Sequence, residues 1–323
     1  MGHRVGQTGG IIPTSSEVRA TTRNNINKFP AIKPAKAPML TTWRCSRGLL
    51  GIIFGHRRAG GVSAVPRGPG GCMQSGKTVT GGVVLRVTDT KETDRILTVL
   101  TADRGKIPLI ARGARRKNSR LAAACQMPAY SELTIFKRGS WYMLDEASPI
   151  ELFDGLGRDI ELLALAAWFC ELTEAVCAEE TPCPEILSLL LNALYALCRT
   201  GKDPRLVKAA FQFRLMALSG FEPLAEECAV CGTAQPEGPV LDISGGFVAC
   251  GTCRGPERSF RLPLTEAGLA ALRHVLYADP RRLYSFTLEP GALQALDQAG
   301  EAFIAAQLER GFRTLDYYKA LLG

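Results

Sequence analysis

The chain has no run of 18 uncharged apolar residues, so no segment is expected to cross a membrane as a helix. Its longest apolar patches, such as LLALAAWFC at 162–170, sit in amphipathic helical surroundings. Histidine is scarce: there are three, and only His274 follows residue 72, within the helical stretch LRHVLY, where it reads as structural. There is no G-x-S-x-G, no H-E-x-x-H and no paired-carboxylate signature, so enzyme chemistry is not expected. A positive-then-apolar N-terminal stretch with a small-residue cleavage site is also missing. Of the eleven cysteines, Cys170, Cys177 and Cys198 fall in apolar helical patterns, where a reduced thiol behaves as a small hydrophobe. A reducing cytoplasm is expected rather than a disulfide framework.

What is present fits a globular chain of two or three domains, with 323 residues, 46% hydrophobic and 22% charged. The net charge of +8 is unevenly divided. Residues 1–72 carry eleven Lys or Arg against a single acid, Glu17. Residues 73–150 hold 13 basic and 7 acidic residues, and residues 151–323 hold 15 and 23. A basic first domain thus precedes an acidic second half, which points to a polyanionic partner for the first domain alone.

Residues 71–78, GCMQSGKT, satisfy the phosphate-loop pattern G-x-x-x-x-G-K-[ST] letter for letter. Such a loop needs a buried strand before it and a helix opening at Lys77-Thr78. Upstream, VSAVPRGPGG is too rich in Pro and Gly for a buried strand. Downstream, VTGGVVLRVT is β-branched and interrupted by Gly81-Gly82, which opposes a helix. WYMLDE at 141–146 resembles the apolar strand ending in an acid that would hold magnesium, yet no crossover helices lie between the two motifs. A P-loop ATPase is therefore the alternative reading, and a chance match in a Gly-rich region the favoured one. Residues 1–72 lack periodicity, and they are expected to be a disordered leader, with an Arg-rich transit peptide as a second reading. The abrupt change of composition favours a third, a chain that begins at Met73.

From about residue 79 the pattern is strand-like. TVTGGVVLRVT, RILTVLTAD, GKIPLIAR, AYSELTIFKR and SWYMLDEASPI are five short β segments divided by turn or loop chemistry. Without a crossover helix they predict a small antiparallel barrel over residues 73–150, for which a five-stranded OB-fold is the candidate. After Pro149 the period becomes helical, and the pattern predicts an all-α domain over 151–323. Helices are expected near 158–179, 184–200, 204–219, 265–278 and 290–321, with Pro184, the Asp203-Pro204 pair and Thr265 as starts.

Between those helices, at 225–256, lies a helix-poor insertion with CAVC at 228–231 and CGTC at 250–253. Two C-x-x-C pairs with eighteen residues between them fit a closed four-thiolate site for one structural Zn²⁺, held by Cys228, Cys231, Cys250 and Cys253. Gly232 and Gly251 fall where knuckle turns need a permissive backbone. The competing readings are core cysteines, redox pairs or an iron–sulfur site.

A second signal is IARGARRKNSRL at 110–121, where Arg112, Arg115, Arg116, Lys117 and Arg120 stand with no acid among them. Such a density of cations on a loop repels itself unless an anion is present, and it suits phosphate contacts that release counterions. The competing reading is a solvated basic loop. Arg95, Lys106 and Lys91 extend the basic set, each with an acid nearby. Trp141, Tyr142 and Phe136 are candidates to stack bases, although strand alternation sends some of them inward.

The order of parts resembles the RecO family of bacterial recombinational DNA repair proteins. The resemblance runs over about 75–323 and is carried by VLRVTDTKETDRILTVLTADRGKIPLIARGARRKNSRL at 84–121, SGFEPLAEECAVCG at 219–232 and FIAAQLERGFRTLDYYKALL near the C-terminus. It implies an OB-fold followed by a helical domain with a zinc element. It also implies binding of single- and double-stranded DNA, annealing of strands coated with single-strand-binding protein (SSB), and cooperation with RecR in loading RecA, without ATP, at the nucleoid of a bacterial cytoplasm. The DNA-contact role carries onto Ala111–Lys117 and Arg120. Capture of the acidic SSB tail would need a cation beside an apolar groove, for which Lys208 and Arg214 with Phe211 and Phe213 are the candidates. The first 72 residues have no counterpart in that pattern. A zinc-containing RNA-binding module is a further alternative.

Overall fold

The computed structural model describes residues 76–253 and 259–323. The expectations for residues 1–72, for a start at Met73 and for most of GCMQSGKT lie outside the described residues.

Five strands form a closed barrel: β1 (Thr78–Thr90), β2 (Asp94–Thr101), β3 (Gly105–Ala111), β4 (Tyr130–Arg138) and β5 (Trp141–Glu151). The order around the barrel is β1-β2-β3-β5-β4, and β4 pairs back onto β1. All pairs are antiparallel except β3 with β5, which run parallel through Leu109 opposite Tyr142 and Ile110 opposite Met143. The purely antiparallel expectation therefore fails at one seam, because the chain leaves β3 on a long loop and returns through β4 before β5 closes the ring. The topology is that of an OB-fold.

β1 shows why its sequence reads as a continuous apolar run rather than an alternating one. Val84 points into the barrel with Leu97, Val99, Ile107, Leu109, Leu133 and Ile135. Its neighbours Val83 and Leu85 point outward and belong to the core of the helical domain. A strand covered on both faces needs apolar residues at every position. A bulge between Val84 and Arg86 adjusts the register there. Gly82 is required by closeness of packing, since a Cβ there would come within 2.6 Å of Val99 Cγ1.

The helical domain comprises α1 (Ile160–Val176), α2 (Pro184–Arg199), α3 (Pro204–Leu218), α4 (Glu266–Tyr277), α5 (Pro290–Leu308) and α6 (Arg313–Leu322). Asp159 caps α1 by accepting from the N–H groups of Glu161 and Leu162, Asp203 accepts from Arg205 N–H, and Thr265 Oγ1 from Gly268 N–H. The single helix expected over 290–321 is two helices. Glu309 adopts a left-handed backbone at φ 51°, which ends α5, and Phe312 restarts the chain as the N-cap of α6. At the centre of the domain Phe169 stacks on Phe211 at 4.1 Å, and Trp168 meets Phe312 edge-on at 4.8 Å. The four-cysteine insertion folds on a three-stranded sheet of β6 (Val240–Asp242), β7 (Phe247–Ala249) and β8 (Arg261–Pro263), with β6 central.

The strand expected after Lys77 is present, whereas the groove expected beside Lys208 is not. Lys77-Thr78 opens no helix: Thr78 is the first residue of β1, and Lys77 pairs with Asp145 of β5. A strand at that point offers no N-terminal dipole to a phosphate, so the helix start that a phosphate loop needs is absent at Lys77-Thr78. Lys208, Phe211 and Phe213 are not beside an open groove. Lys208 is 1% exposed and both phenylalanines are fully buried. The Lys208 ammonium is held by Asp297 and Glu301, and Arg214 donates to the carbonyls of Val275 and Leu276.

This buried cluster is the polar anchor of α3 against α5. Burial pushes the Asp297 carboxyl up against the opposing pull of Lys208. Burial also opposes ionisation of Glu301, but the Lys208 and Lys319 ammoniums outweigh it and hold its carboxyl below the ordinary range. Removing one member leaves the others charged and dry. Lys208→Ala is expected to cost about 3–5 kcal/mol in denaturant unfolding. Lys208→Met combined with Asp297→Leu and Glu301→Gln is expected to recover most of that loss, and an equal loss in both would show that packing rather than charge is at stake.

Candidate nucleic-acid interface and metal centre

β3 delivers the chain at Ala111 into the basic loop, which folds as consecutive turns rather than a floppy excursion. Gly113, at φ 66°, donates its N–H to Asp94 Oδ1 at 2.8 Å, and the Arg115 N–H donates to the Thr93 carbonyl at 3.0 Å. That N–H of Gly113 is the main reason the Asp94 carboxyl lies below its ordinary value. The loop is also nailed down from beneath, since Ala114 and Cys125 are buried in the barrel core with Leu121 packed against them. Above these apolar feet the side chains of Arg112, Arg115, Arg116, Lys117 and Arg120 are all exposed. Of the five, Arg115 alone has a carboxylate partner among the described residues, Asp89 at 3.5 Å.

The other predicted cations are placed differently. Arg95 pairs with Ala111 at the base of the loop, but its guanidinium is committed to Asp89 and to the Cys125 carbonyl. Lys106 lies at the far end of β3, where its ammonium donates to the Glu174 carbonyl of α1 at 2.8 Å. Lys91 joins the loop instead. It shares a recess of about 430 Å³ with Thr93, Asp94, Arg112, Gly113 and Arg116. The signal was in the strand register: the β1–β2 turn and the Arg95–Ala111 pair necessarily sit at the same end of the barrel.

Of the three aromatic candidates, Tyr142 is buried and donates its hydroxyl to Glu180, and Phe136 is half-buried. Trp141 is 48% exposed at the tip of the β4–β5 hairpin, opposite Arg138 and near Lys137. It is the aromatic with a free face. His274 bonds the Arg282 carbonyl through Nε2 and meets Phe286 edge-on, which is a structural role.

A wider groove of about 610 Å³ runs between the barrel, α1 and the start of α6. Its floor is apolar, from Leu85, Met127, Ala167 and Ala175, and its rim carries Arg86, Arg310 and Arg313. Glu174 holds Arg86 through Nε at 3.0 Å, and Glu171 accepts the Thr314 N–H at 3.1 Å, capping α6.

The four cysteines of the insertion converge. The Sγ atoms of Cys228, Cys231, Cys250 and Cys253 all lie within 4.8 Å of one another, and Cys231 and Cys250 are 3.7 Å apart. Tetrahedral thiolates about 2.3 Å from a central ion stand roughly 3.8 Å apart, so the set fits a four-coordinate metal. Burial opposes ionisation of Cys228, but the backbone N–H groups of Cys231, Cys250 and Val230 overcome it and draw the thiol down to about 6. Gly232 makes the first knuckle turn at φ 75°, whereas Gly251 is needed for space, its Cβ position lying 2.8 Å from the Gly238 carbonyl. From α4, the Arg273 guanidinium clasps the carbonyls of Ala225, Glu226 and Ala234 and fixes the knuckle to the helices.

Comparison with known proteins converges on one family. The model for the N-terminal domain of recombination protein O matches residues 73–153, and that for its C-terminal domain matches residues 157–316. The DNA repair protein RecO of Acetivibrio thermocellus is 30% identical over 243 residues, which span 75% of this chain and 96% of that protein. The proteins of the same name from Symbiobacterium thermophilum and Desulforudis audaxviator are 31% and 33% identical, covering 74% and 75% of this chain and 96% of each relative. No helix among the described residues is long and apolar enough to cross a membrane. With a closed OB barrel, a helical domain and a four-cysteine insertion in matching order, the chain belongs to the RecO family of DNA repair proteins.

Proposed function

We propose that the chain binds single- and double-stranded DNA through the barrel, anneals strands carried by SSB and helps RecR load RecA, as a non-enzymatic mediator of recombination and DNA-damage repair. It would act at the nucleoid in the bacterial cytoplasm. The observation that carries this reading is the anchored loop with five exposed cations, four of them without a carboxylate partner among the described residues. Phosphate contacts of this kind position a strand without reading its bases. Trp141 supplies a sequence-tolerant stacking face on the same barrel. The acidic, apolar SSB tail fits the groove above Leu85 and Ala167, whose rim holds Arg86, Arg310 and Arg313, better than the buried surroundings of Lys208. The ion proposed for the cysteine cluster is a structural Zn²⁺. With four protein thiolates its coordination is closed, so it folds the insertion rather than activating a substrate.

Replacing Arg115, Arg116 and Lys117 with Ala is expected to weaken oligonucleotide binding at least tenfold and to flatten the salt dependence by about 2–3 in log–log slope. Fluorescence anisotropy over a salt series reads both, and unchanged binding would remove the loop from the interface. An RNA arm of equal length tests the RNA-module reading. Trp141→Ala is expected to weaken single-strand binding by about 1–3 kcal/mol while sparing duplex binding. Elemental analysis should find one zinc per chain, lost in Cys231→Ser with Cys253→Ser. That variant should lose hydrogen-exchange protection over the insertion and keep its affinity for DNA.

A further inference from the structure

The loop between α1 and α2, residues 177–183, is the clamp that fastens the helical domain to one end of the barrel. The Glu180 N–H donates to the Lys106 carbonyl at 3.0 Å, and Glu179 bridges Lys106 in parallel fashion. The Glu180 carboxylate accepts from Tyr142 Oη at 3.0 Å and pairs with Lys137 at 3.4 Å. Thr181 passes so close to β3 that a Cβ on Gly105 would lie 1.9 Å from the Thr181 carbonyl oxygen. The contacts of this loop thus reach β3, β4 and β5.

A cysteine stands at each end of the clamp. Cys177 is the C-cap of α1 and Cys183 the N-cap of α2. An N-cap is ordinarily Ser, Thr, Asp or Asn, whose oxygen accepts from the first free N–H groups. Cys183 makes no such bond, and its sulfur is turned instead to Cys177, with Sγ atoms 3.6 Å apart. Among the described residues this is the one sulfur–sulfur contact outside the four-cysteine cluster. Closing it to a bond of about 2.05 Å requires the two sulfurs, now 3.6 Å apart, to approach by roughly 1.5 Å.

We propose that Cys177 and Cys183 form a redox staple, a dithiol that hydrogen peroxide oxidises to an intrachain disulfide and thereby locks the clamp across the barrel–helix seam. The half-buried Cys183 is the entry point, and Cys177, 5% exposed, is the resolving thiol. The contact with Cys177 and the charge of the Lys106 ammonium hold the Cys183 thiol below its ordinary value. In the first step the Cys183 thiolate attacks a peroxide oxygen: an S–O bond forms, the O–O bond breaks, and the departing hydroxide is protonated to water. In the second the Cys177 sulfur, losing its proton, attacks Cys183 sulfur: the S–S bond forms and the S–O bond breaks, releasing a second water. The two sulfurs give up two electrons and the peroxide takes them; a dithiol reductant reverses the change by exchange.

The test uses the metal-loaded full chain treated with hydrogen peroxide, alkylated, and digested without reduction by a glutamate-specific protease. Cleavage after Glu179 or Glu180 puts the two cysteines on separate peptides unless they are joined. A peptide pair linked through Cys177 and Cys183, separated by dithiothreitol, is the expected product. With it, hydrogen exchange over 177–183 and the start of β3 should slow at least threefold. Cys183→Ser, which restores an ordinary cap, and Cys177→Ala should both fold and show neither change. Full alkylation of both thiols after peroxide, oxidation of Cys183 to sulfinic acid without linkage, or linkage that leaves exchange at the seam unaltered would each overturn the proposal.

Discussion

The architecture depends on one strand being buried twice. Val84 of β1 fills the barrel while Val83 and Leu85 on either side of it fill the core of the helices. A side-chain period of two leaves no slack in such a strand, because a slip of one residue would exchange the two cores. The barrel therefore cannot rotate or slide against the helical domain without exposing apolar surface. The basic loop at one end and the clamp around Lys106 at the other inherit fixed positions from that arrangement.

The basic loop is built in the same economical way. The loop's cations repel one another, and a solvated loop would relieve the strain by spreading. Here Ala114, Leu121 and Cys125 below, and the Thr93 and Asp94 acceptors beside, hold the turns together. The ordering entropy of the loop is thus met on folding, and a bound polyanion has less of it left to offset.

Much of this was legible in the chain itself. The five strands, the caps at Asp203 and Thr265 and the paired C-x-x-C knuckles are local signals, and local signals survive into the fold. What failed was non-local. The apolar company of Lys208 read as a groove because a sequence does not show that Asp297 and Glu301, some ninety residues on, arrive to bury it. Lys106 and Arg112 look alike six residues apart, yet they stand at opposite ends of β3. The split at Glu309 was hidden because a left-handed turn at a single Glu breaks no periodicity of its own. The parallel closure of β3 on β5 likewise depends on where the chain goes in between.

The division of charge between the two domains has a kinetic meaning. With an excess of bases in residues 73–150 and of acids in 151–323, these two domains make an electric dipole whose positive pole is the barrel. In the field of a polyanion such a body turns before it touches, so that more of its encounters begin loop-first and fewer are spent on the wrong face. The acidic helices act as a fender that repels a polyanion from the far side. For the proposed annealing role that restraint matters, because a strand held on one side only would still have its bases open to a complement.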